Sequence, residues 1–321
     1  MKAVILAGGL GTRLRPITYK TPKPLVPLVG KPLVMHIIDS LPPRVDTVVL
    51  AVSYMKDVLE EYFRVNDCGR KVILVNETTP LGTGGAIKNV EGYLDGTFLV
   101  INGDVLTTID FNAMIKYHRE KAGIGTISLW QVEDPTAFGV VGLDQNNRIT
   151  TFQEKPPKEE AVSNMINAGV YMFEPDMLDN IGKGAVSIEK EVFPRVLDQG
   201  LFGYQYGGYW VDCGTRESYL IAQKTLMDFG ATRNQPAESK GQVMITEPVH
   251  LTSTKLDSCR IGPYVFAEPN VTIGAGAEIS NSMLMRGAMV GPGAVVRNSM
   301  IGPGFMVERD QAVIDLILSN K

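Results

Sequence analysis

Cysteine, histidine and tryptophan are all scarce in this chain, with three, three and two copies in 321 residues. Cys68, Cys213 and Cys259 are scattered and form no CxxC pair, so neither a disulfide framework nor a thiolate zinc site is indicated. His36, His118 and His250 lie far apart, and no Ser-His-Asp or metal-histidine arrangement is apparent. His118 reads as a polar-face residue of its helix, among charged neighbours. No apolar run is long enough to cross a membrane, and the first one breaks at Gly8, too short for a signal peptide. A cytoplasmic protein with no membrane partner is expected. Positive charge is not in excess: the net charge of −4 gives no reason to expect a nucleic acid as partner. Hydrophobic residues make up 44% and charged residues 21%, which excludes wholesale disorder. The length exceeds what one ordinary core covers, so one large domain and one smaller domain are expected.

What is abundant is glycine and proline, and a close cluster of both follows the first apolar run. Lys2 to Ala7 is a short apolar run of the kind that forms a buried parallel strand. Gly8, Gly9 and Gly11 follow, then Thr12, Arg13 and Arg15, then Pro16, Pro22, Pro24 and Pro27 with Lys20, Lys23 and Lys31 among them. A strand that ends in a glycine-rich turn lets backbone N–H groups approach an anion closely, and the cations add charge. The P-loop string GxxxxGK[ST] is absent here, and the prolines forbid the long helix that a dinucleotide fingerprint would open.

The string from Gly8 to Pro32 resembles the signature of sugar-nucleotide pyrophosphorylases, GGxGTRLxPxT…PKPLxPxxGKP. Strands at 46–53, 71–76 and 97–103, alternating with helices at 33–41, 55–63 and 86–94, indicate an α/β fold with a mostly parallel, Rossmann-like sheet. Ligands of such sheets sit beyond the carboxyl ends of the strands. The segment Pro80-Leu81-Gly82-Thr83-Gly84-Gly85, taken alone, fits a flexible loop before a helix. The resemblance places it against the nucleobase, in a form similar to that of guanylyltransferases.

Asp104 follows the strand that ends in Asn102-Gly103. Taken alone it could be a turn cap, whereas the resemblance makes it a magnesium ligand, with Asp212 of the Trp-x-Asp-x-Gly-Thr string as the second. A helix at 111–121 is followed by strands at 125–132, 139–143 and 149–153. The pair Glu154-Lys155 could be an exposed strand-end ion pair. By resemblance, Lys155 faces the sugar-1-phosphate, while Glu154, Asn167, Gly169 and the Gly139 backbone take sugar hydroxyls. The nucleotide would meet Leu6, Ala7, Gly8, Gly9, Gly11, Thr12, Arg13, Lys23, Pro80, Leu81, Gly82, Thr83, Asn102, Gly103 and Asp104. Arg13, Lys23, Asp104 and Lys155 would carry the catalysis.

Ser187 to Leu197 reads as a helix capped by Ser187, with Glu189 and Glu191 in its first turn, and a further helix runs over 217–227. The strings PLGTGG, SIEKEVFP and YWVDCGT together are most similar to the GDP-mannose pyrophosphorylase family. Gly84-Gly85 and Cys213 depart from its usual pattern. Residues 228–241 are polar and rich in breakers and read as a linker between a catalytic domain over 1–230 and a tail over 242–321. In the tail, 273–289 and 290–306 align at a period of 17, and apolar residues recur at about six. This hexapeptide pattern indicates a left-handed parallel β-helix of about three coils. A tail of this kind is expected to pack at a homo-oligomer interface and to contribute nothing to catalysis.

The resemblance implies transfer of a nucleoside monophosphate from a triphosphate, best GTP, to a sugar-1-phosphate, best mannose-1-phosphate. Two readings stay beside it at this stage. One is the same chemistry on glucose-1-phosphate with UTP or dTTP; the other is a non-catalytic regulatory subunit of the same fold. A tail that acetylates an amino sugar is disfavoured, because no histidine follows His250 to act as a base.

Overall fold

The structure, a computed structural model, describes residues 1–320. The chain forms two compact units: Met1–Leu10 with Val34–Trp210, and Gly11–Leu33 with the residues from Val211 onward.

The first unit is built on one sheet. Lys2–Leu6 lies at its centre, parallel to Thr47–Val52 on one side and to Phe98–Asn102 on the other, with Lys71–Asn76 parallel at the edge. Every residue of Thr47–Val52 is buried, as expected of a strand covered on both faces. The sheet is mixed rather than mostly parallel. Met165–Phe173 pairs antiparallel with Phe98–Asn102, with Gly125–Gln131 and, at Ile166, with Gly139–Leu143. The meander Gly139–Leu143 and Ile149–Glu154 is antiparallel because a short turn, too short for a crossover helix, joins its strands. Leu201–Gln205 returns parallel to Gly125–Gln131. The core on this sheet is mostly aliphatic, with Phe98, Tyr171, Phe173 and Phe193 buried within it.

Three local elements differ from expectation. The helix expected over 86–94 runs over Gly82–Asn89, so the three glycines are helical. They are tolerated because the 184–188 segment lies against them: a Cβ on Gly85 would collide with the Gly184 carbonyl, and one on Gly82 would come within 2.7 Å of the Val186 carbonyl. The helix expected over 187–197 is a wide π-helical turn, Ile188–Val192, followed by a tight 3₁₀ turn, Phe193–Arg195. Pro194 has no N–H to continue it. Ser187 still caps the turn, accepting from the Lys190 N–H at 3.2 Å. His118 is buried rather than on a polar face: its Nδ1 is 2.9 Å from Thr126 Oγ1 and its Nε2 is 2.9 Å from Glu174 Oε1.

In the second unit the chain passes in turn through three parallel sheets of six, five and five strands. The period of 17 holds in the pairing, for example Lys255↔Thr272, Thr272↔Met289 and Met289↔Met306. There are more turns than the three expected. Strands Arg233–Gln235 and Glu238–Lys240 lie inside the segment expected as linker, and Ala312–Ile314 and Ile317–Leu318 extend the other end. Those first strands are exposed and polar, so the apolar hexapeptide pattern is missing where their pairing nonetheless begins. The helix Arg216–Asp228 packs on the coil: Gln223 Nε2 donates to the carbonyls of Tyr264 at 2.9 Å and Ser282 at 3.2 Å. Among the described residues, no helix is long and apolar enough to cross a membrane.

Candidate active site

The carboxyl ends of the three central parallel strands open into a cavity of about 500 Å³ in the first unit. Leu6, Gly8 and Gly9 come from the end of the first strand, Asn102 and Asp104 from the end of Phe98–Asn102, and Pro80, Leu81, Gly82 and Thr83 from the start of the next helix. All nine stand among the residues expected to meet the nucleotide. Two others stand beside it: the Ala7 N–H donates to Ala51 at 2.9 Å, and the Gly103 N–H to Leu6 at 2.9 Å. Gly103 has to be glycine, since a Cβ there would come within 2.6 Å of the Leu6 carbonyl. Asp104 occupies the tight turn between Phe98–Asn102 and Val105–Thr107.

The cavity also holds residues that the sequence reading missed, Ser53 and Glu77 above all. Each directly follows a parallel strand, which is the signal that could have found them. The Ser53 hydroxyl donates to the Gly8 carbonyl. Glu77 is 8% exposed, and burial holds its carboxyl above the usual carboxylate range. Its carboxylate lies so close to Gly8 that a Cβ there would be 2.9 Å from Oε1.

The sugar-phosphate candidates gather beside this cavity in the same unit. A bulge in Met165–Phe173 shifts its register against Gly125–Gln131 between Asn167 and Tyr171. Gly169 supplies the left-handed φ of 73° that the bulge needs, and a Cβ there would come within 2.7 Å of Asn102 Nδ2. Asn167 Nδ2 donates to the Tyr171 hydroxyl at 2.9 Å, and its Oδ1 accepts from the Gly169 N–H at 3.0 Å. Gly139 packs against Phe152 and Glu154, where a Cβ would be 2.7 Å from the Phe152 ring and 3.1 Å from Glu154 Oε2.

Burial pushes the Glu154 carboxyl up, and the nearby Glu189 carboxylate adds to the shift; Lys155 and Lys190 oppose both. Lys155 Nζ stands 3.7 Å from Glu154 Oε1 on a side chain that is 63% exposed, so the pair is weakly coupled and burial wins. Lys155 itself holds a left-handed φ of 52°, a conformation that costs a residue with a Cβ about 1 kcal/mol. Such strain is characteristic of functional positions. Glu189, read from sequence only as a first-turn acid, is tied to the cavity wall: it accepts from Thr83 Oγ1 at 2.6 Å and from Ser187 Oγ at 2.9 Å.

The remaining candidates, Gly11, Thr12, Arg13, Lys23 and Asp212, belong to the second unit. Gly11 has a φ of 60°, its carbonyl accepts from Thr18 Oγ1 at 2.8 Å, and a Cβ there would be 3.2 Å from Lys23 Cβ. Thr12–Leu14 is a 3₁₀ turn that carries Arg13. Arg13 and Asp212 are brought together over Gly214, where a Cβ would be 2.7 Å from Arg13 Nη2 and 2.8 Å from Asp212 Oδ1.

Among the described residues, no group of three or more His, Cys, Asp or Glu could hold a metal alone. Asn102 Oδ1, which lines the cavity near Asp104, is buried without a hydrogen-bond partner. This set suits a hard cation that takes one or two carboxylates and completes its shell with substrate oxygens.

A glycine-lined cavity at the carboxyl edge of a Rossmann-like sheet, with the carboxylates of Glu77 and Asp104 in its lining, is the arrangement of a nucleotide-binding α/β enzyme. Residues 2–228 match the family described as Nucleotidyl transferase, and residues 240–319 match the GMPPB C-terminal domain. The chain belongs to the nucleotidyl transferase family. It is 38% identical to the probable mannose-1-phosphate guanylyltransferase 1 of Oryza sativa subsp. japonica, over 90% of this chain and 82% of that protein. It is 36% identical to the mannose-1-phosphate guanylyltransferase of Mycobacterium tuberculosis, over 89% of this chain and 79% of that one. Its fold is also similar to the crystal structure of HddC from Yersinia pseudotuberculosis complexed with GMP-PN. That match has a TM-score of 0.60 and 29% identity, and covers 70% of this chain and 99% of the other.

Proposed function

We propose that this sugar-1-phosphate nucleotidyltransferase uses GTP and mannose-1-phosphate and releases GDP-mannose and pyrophosphate. The observation that carries the base assignment is Glu77, a buried carboxylate in the wall of the nucleotide cavity. An ionised carboxylate only accepts hydrogen bonds, and the edge of guanine offers two adjacent donors, N1–H and the N2 amino group. Uracil and thymine offer one. The names of the relatives favour the same base and sugar over UTP or dTTP with glucose-1-phosphate.

In the reaction, an oxygen of the sugar-1-phosphate attacks the α-phosphorus of the triphosphate. One P–O bond forms, the bond to the β-phosphate breaks, and pyrophosphate leaves with its charge. The protein positions and neutralises rather than attacking. Arg13 and the glycine-loop amides serve the leaving pyrophosphate, Lys23 the transferring phosphate, and Lys155 the incoming one. Glu154, Asn167 and the backbone at Gly139 and Gly169 hold sugar hydroxyls. Asp104 and Asp212 are assigned as ligands of a divalent cation, magnesium by its preference for oxygen, which when bound neutralises charge on the phosphates. We further assign the coil of the second unit as a left-handed β-helix at a homo-oligomer interface, in a cytoplasmic enzyme.

Equilibrium binding of GTP, UTP and dTTP to the wild type and to Glu77→Gln tests the base assignment. GTP is expected to bind best to the wild type and to lose that lead in the variant. A wild type that prefers UTP or dTTP overturns it.

A further inference from the structure

The glycine turn after Lys2–Leu6 treats its backbone donors and acceptors differently. Up to Ala7 the chain is still bound to the sheet: the Ala7 N–H donates to the Ala51 carbonyl, and the Leu6 carbonyl accepts from the Gly103 N–H, each at 2.9 Å. Beyond that point, among the described residues, no backbone carbonyl takes the N–H of Gly8, Gly9 or Leu10. The carbonyls of Gly8 and Gly11 are occupied instead. Within the first unit, Gly8 accepts from the Ser53 hydroxyl. Within the second, Gly11 accepts from the Leu14 N–H at 2.9 Å and from Thr18 Oγ1 at 2.8 Å.

Ser53 sits on a rigid support. It directly follows Thr47–Val52, whose end is held on both sides: the Ala51 carbonyl by Ala7, and the Val52 carbonyl by the Glu77 N–H at 2.7 Å. A serine hydroxyl has a single hydrogen to give. Here that hydrogen goes to Gly8, so Ser53 lines the cavity without one left to donate to a phosphate oxygen. Its effect on a ligand must pass through Gly8.

A trans peptide is flat, with its N–H pointing opposite to its carbonyl. The Gly8–Gly9 bond is trans, so fixing the Gly8 carbonyl on Ser53 turns the Gly9 N–H the other way. Two successive glycines have no side chains to choose between this orientation and the flipped one. A side chain could not be added at Gly8 to make that choice, because a Cβ there would be 2.9 Å from Glu77 Oε1. In the flipped orientation the Gly8 carbonyl, with its partial negative charge, would replace an amide donor and repel an anion. A donor already aimed at the place where charge gathers costs no reorganisation when the ligand arrives.

We propose that Ser53 is a positioning residue for the phosphates: its bond to the Gly8 carbonyl keeps the Gly9 amide presented to the β- and γ-phosphates of the nucleotide. The inference rests on the assignment of this cavity to a nucleoside triphosphate, and not on which base that nucleotide carries. The Gly11 carbonyl is held by two donors, whereas among the described residues Ser53 is the one donor to the Gly8 carbonyl. The loop is therefore most sensitive at Ser53.

The test is calorimetric binding of GTP, GMP and inorganic pyrophosphate, in magnesium buffer, to the full-length wild type, Ser53→Ala and Ser53→Thr. In Ser53→Ala, GTP and pyrophosphate are expected to bind about twofold to tenfold more weakly, the range that one net hydrogen bond spans. GMP, which lacks the outer phosphates, is expected to bind as before, and the variant to unfold at the wild-type temperature. Ser53→Thr keeps the hydroxyl and is expected to recover most of the lost affinity. Unaltered binding of GTP and pyrophosphate in Ser53→Ala, an equal loss for GMP, or no recovery in Ser53→Thr overturns the proposal. A wild type that binds UTP in preference to GTP contradicts the base assignment alone. The comparison then runs with UTP and UMP, and pyrophosphate, which has no base, reads the tether in either case.

Discussion

At Glu77 a single atom change separates two kinds of recognition. Glu77→Gln keeps the shape but replaces one acceptor with a donor, which opposes the guanine edge. Losing hydrogen bonds to a charged acceptor costs about 1.5–3 kcal/mol, so kcat/KM for GTP is expected to fall roughly tenfold to a hundredfold. UTP turnover is expected to change much less, and steady-state kinetics with both nucleotides reads the difference. Equal losses for the two would mean that Glu77 only supports the loop. The metal role proposed for the two aspartates predicts a larger effect on the rate. Asp104→Asn and Asp212→Asn each keep the side-chain volume and remove one charge, so turnover is expected to drop by about two orders of magnitude or more. Near-normal turnover of both variants at saturating magnesium would reduce them to turn residues.

At the scale of elements, the helix Phe111–Lys121 is tied to the sheet by a buried imidazole. The Glu174 carboxylate can only accept, so His118 Nε2 carries the hydrogen and the Thr126 hydroxyl donates to Nδ1. Burial lowers the affinity of His118 for a proton despite the nearby carboxylate. The unfolded chain therefore binds the proton more readily, and stability falls as pH drops below the ordinary histidine value of about 6.5. Chemical denaturation is expected to show this slope in the wild type and to lose it in His118→Gln. An identical slope in both would place its origin elsewhere.

A second test lies in the glycine helix. Gly85→Ala drives a methyl group into the Gly184 carbonyl and is expected to cost about 1–3 kcal/mol, read by the same method.

These elements also show what a linear reading can and cannot reach. The strand Lys2–Leu6 and its glycine turn were legible from local pattern and from the signature string, and Asp104 from its place just after an apolar strand. The helix Gly82–Asn89 was placed four residues late, because three glycines look like a loop until the 184–188 segment is known to lie on them. Glu189 was visible only as a helix-start acid; its bond to Thr83 spans 106 positions. The first strands of the coil carry no apolar repeat of their own, and only their pairing with later rungs reveals them.

For the whole molecule, the signature segment from Gly11 onward and the coil fall in one compact unit, with the Tyr219 hydroxyl donating to the Val26 carbonyl at 2.8 Å. That packing alters the expectation that the tail is irrelevant to chemistry. Ending the chain after Gly230 would strip Gln223 of both its carbonyl acceptors and uncover the apolar side of Arg216–Asp228. Low solubility and low activity are expected together, as measured by light scattering and pyrophosphate release. A soluble, fully active truncated chain would restore the view of a dispensable tail.

The central claim is the choice of base and sugar. Initial rates of pyrophosphate release, with GTP, UTP, dTTP, ATP and CTP each paired with mannose-1-phosphate and glucose-1-phosphate, test it in one experiment. GTP with mannose-1-phosphate is expected to be fastest, with other pairs about ten- to a hundredfold slower. A faster rate for UTP or dTTP with glucose-1-phosphate, or no release from any pair in the presence of magnesium, would contradict it.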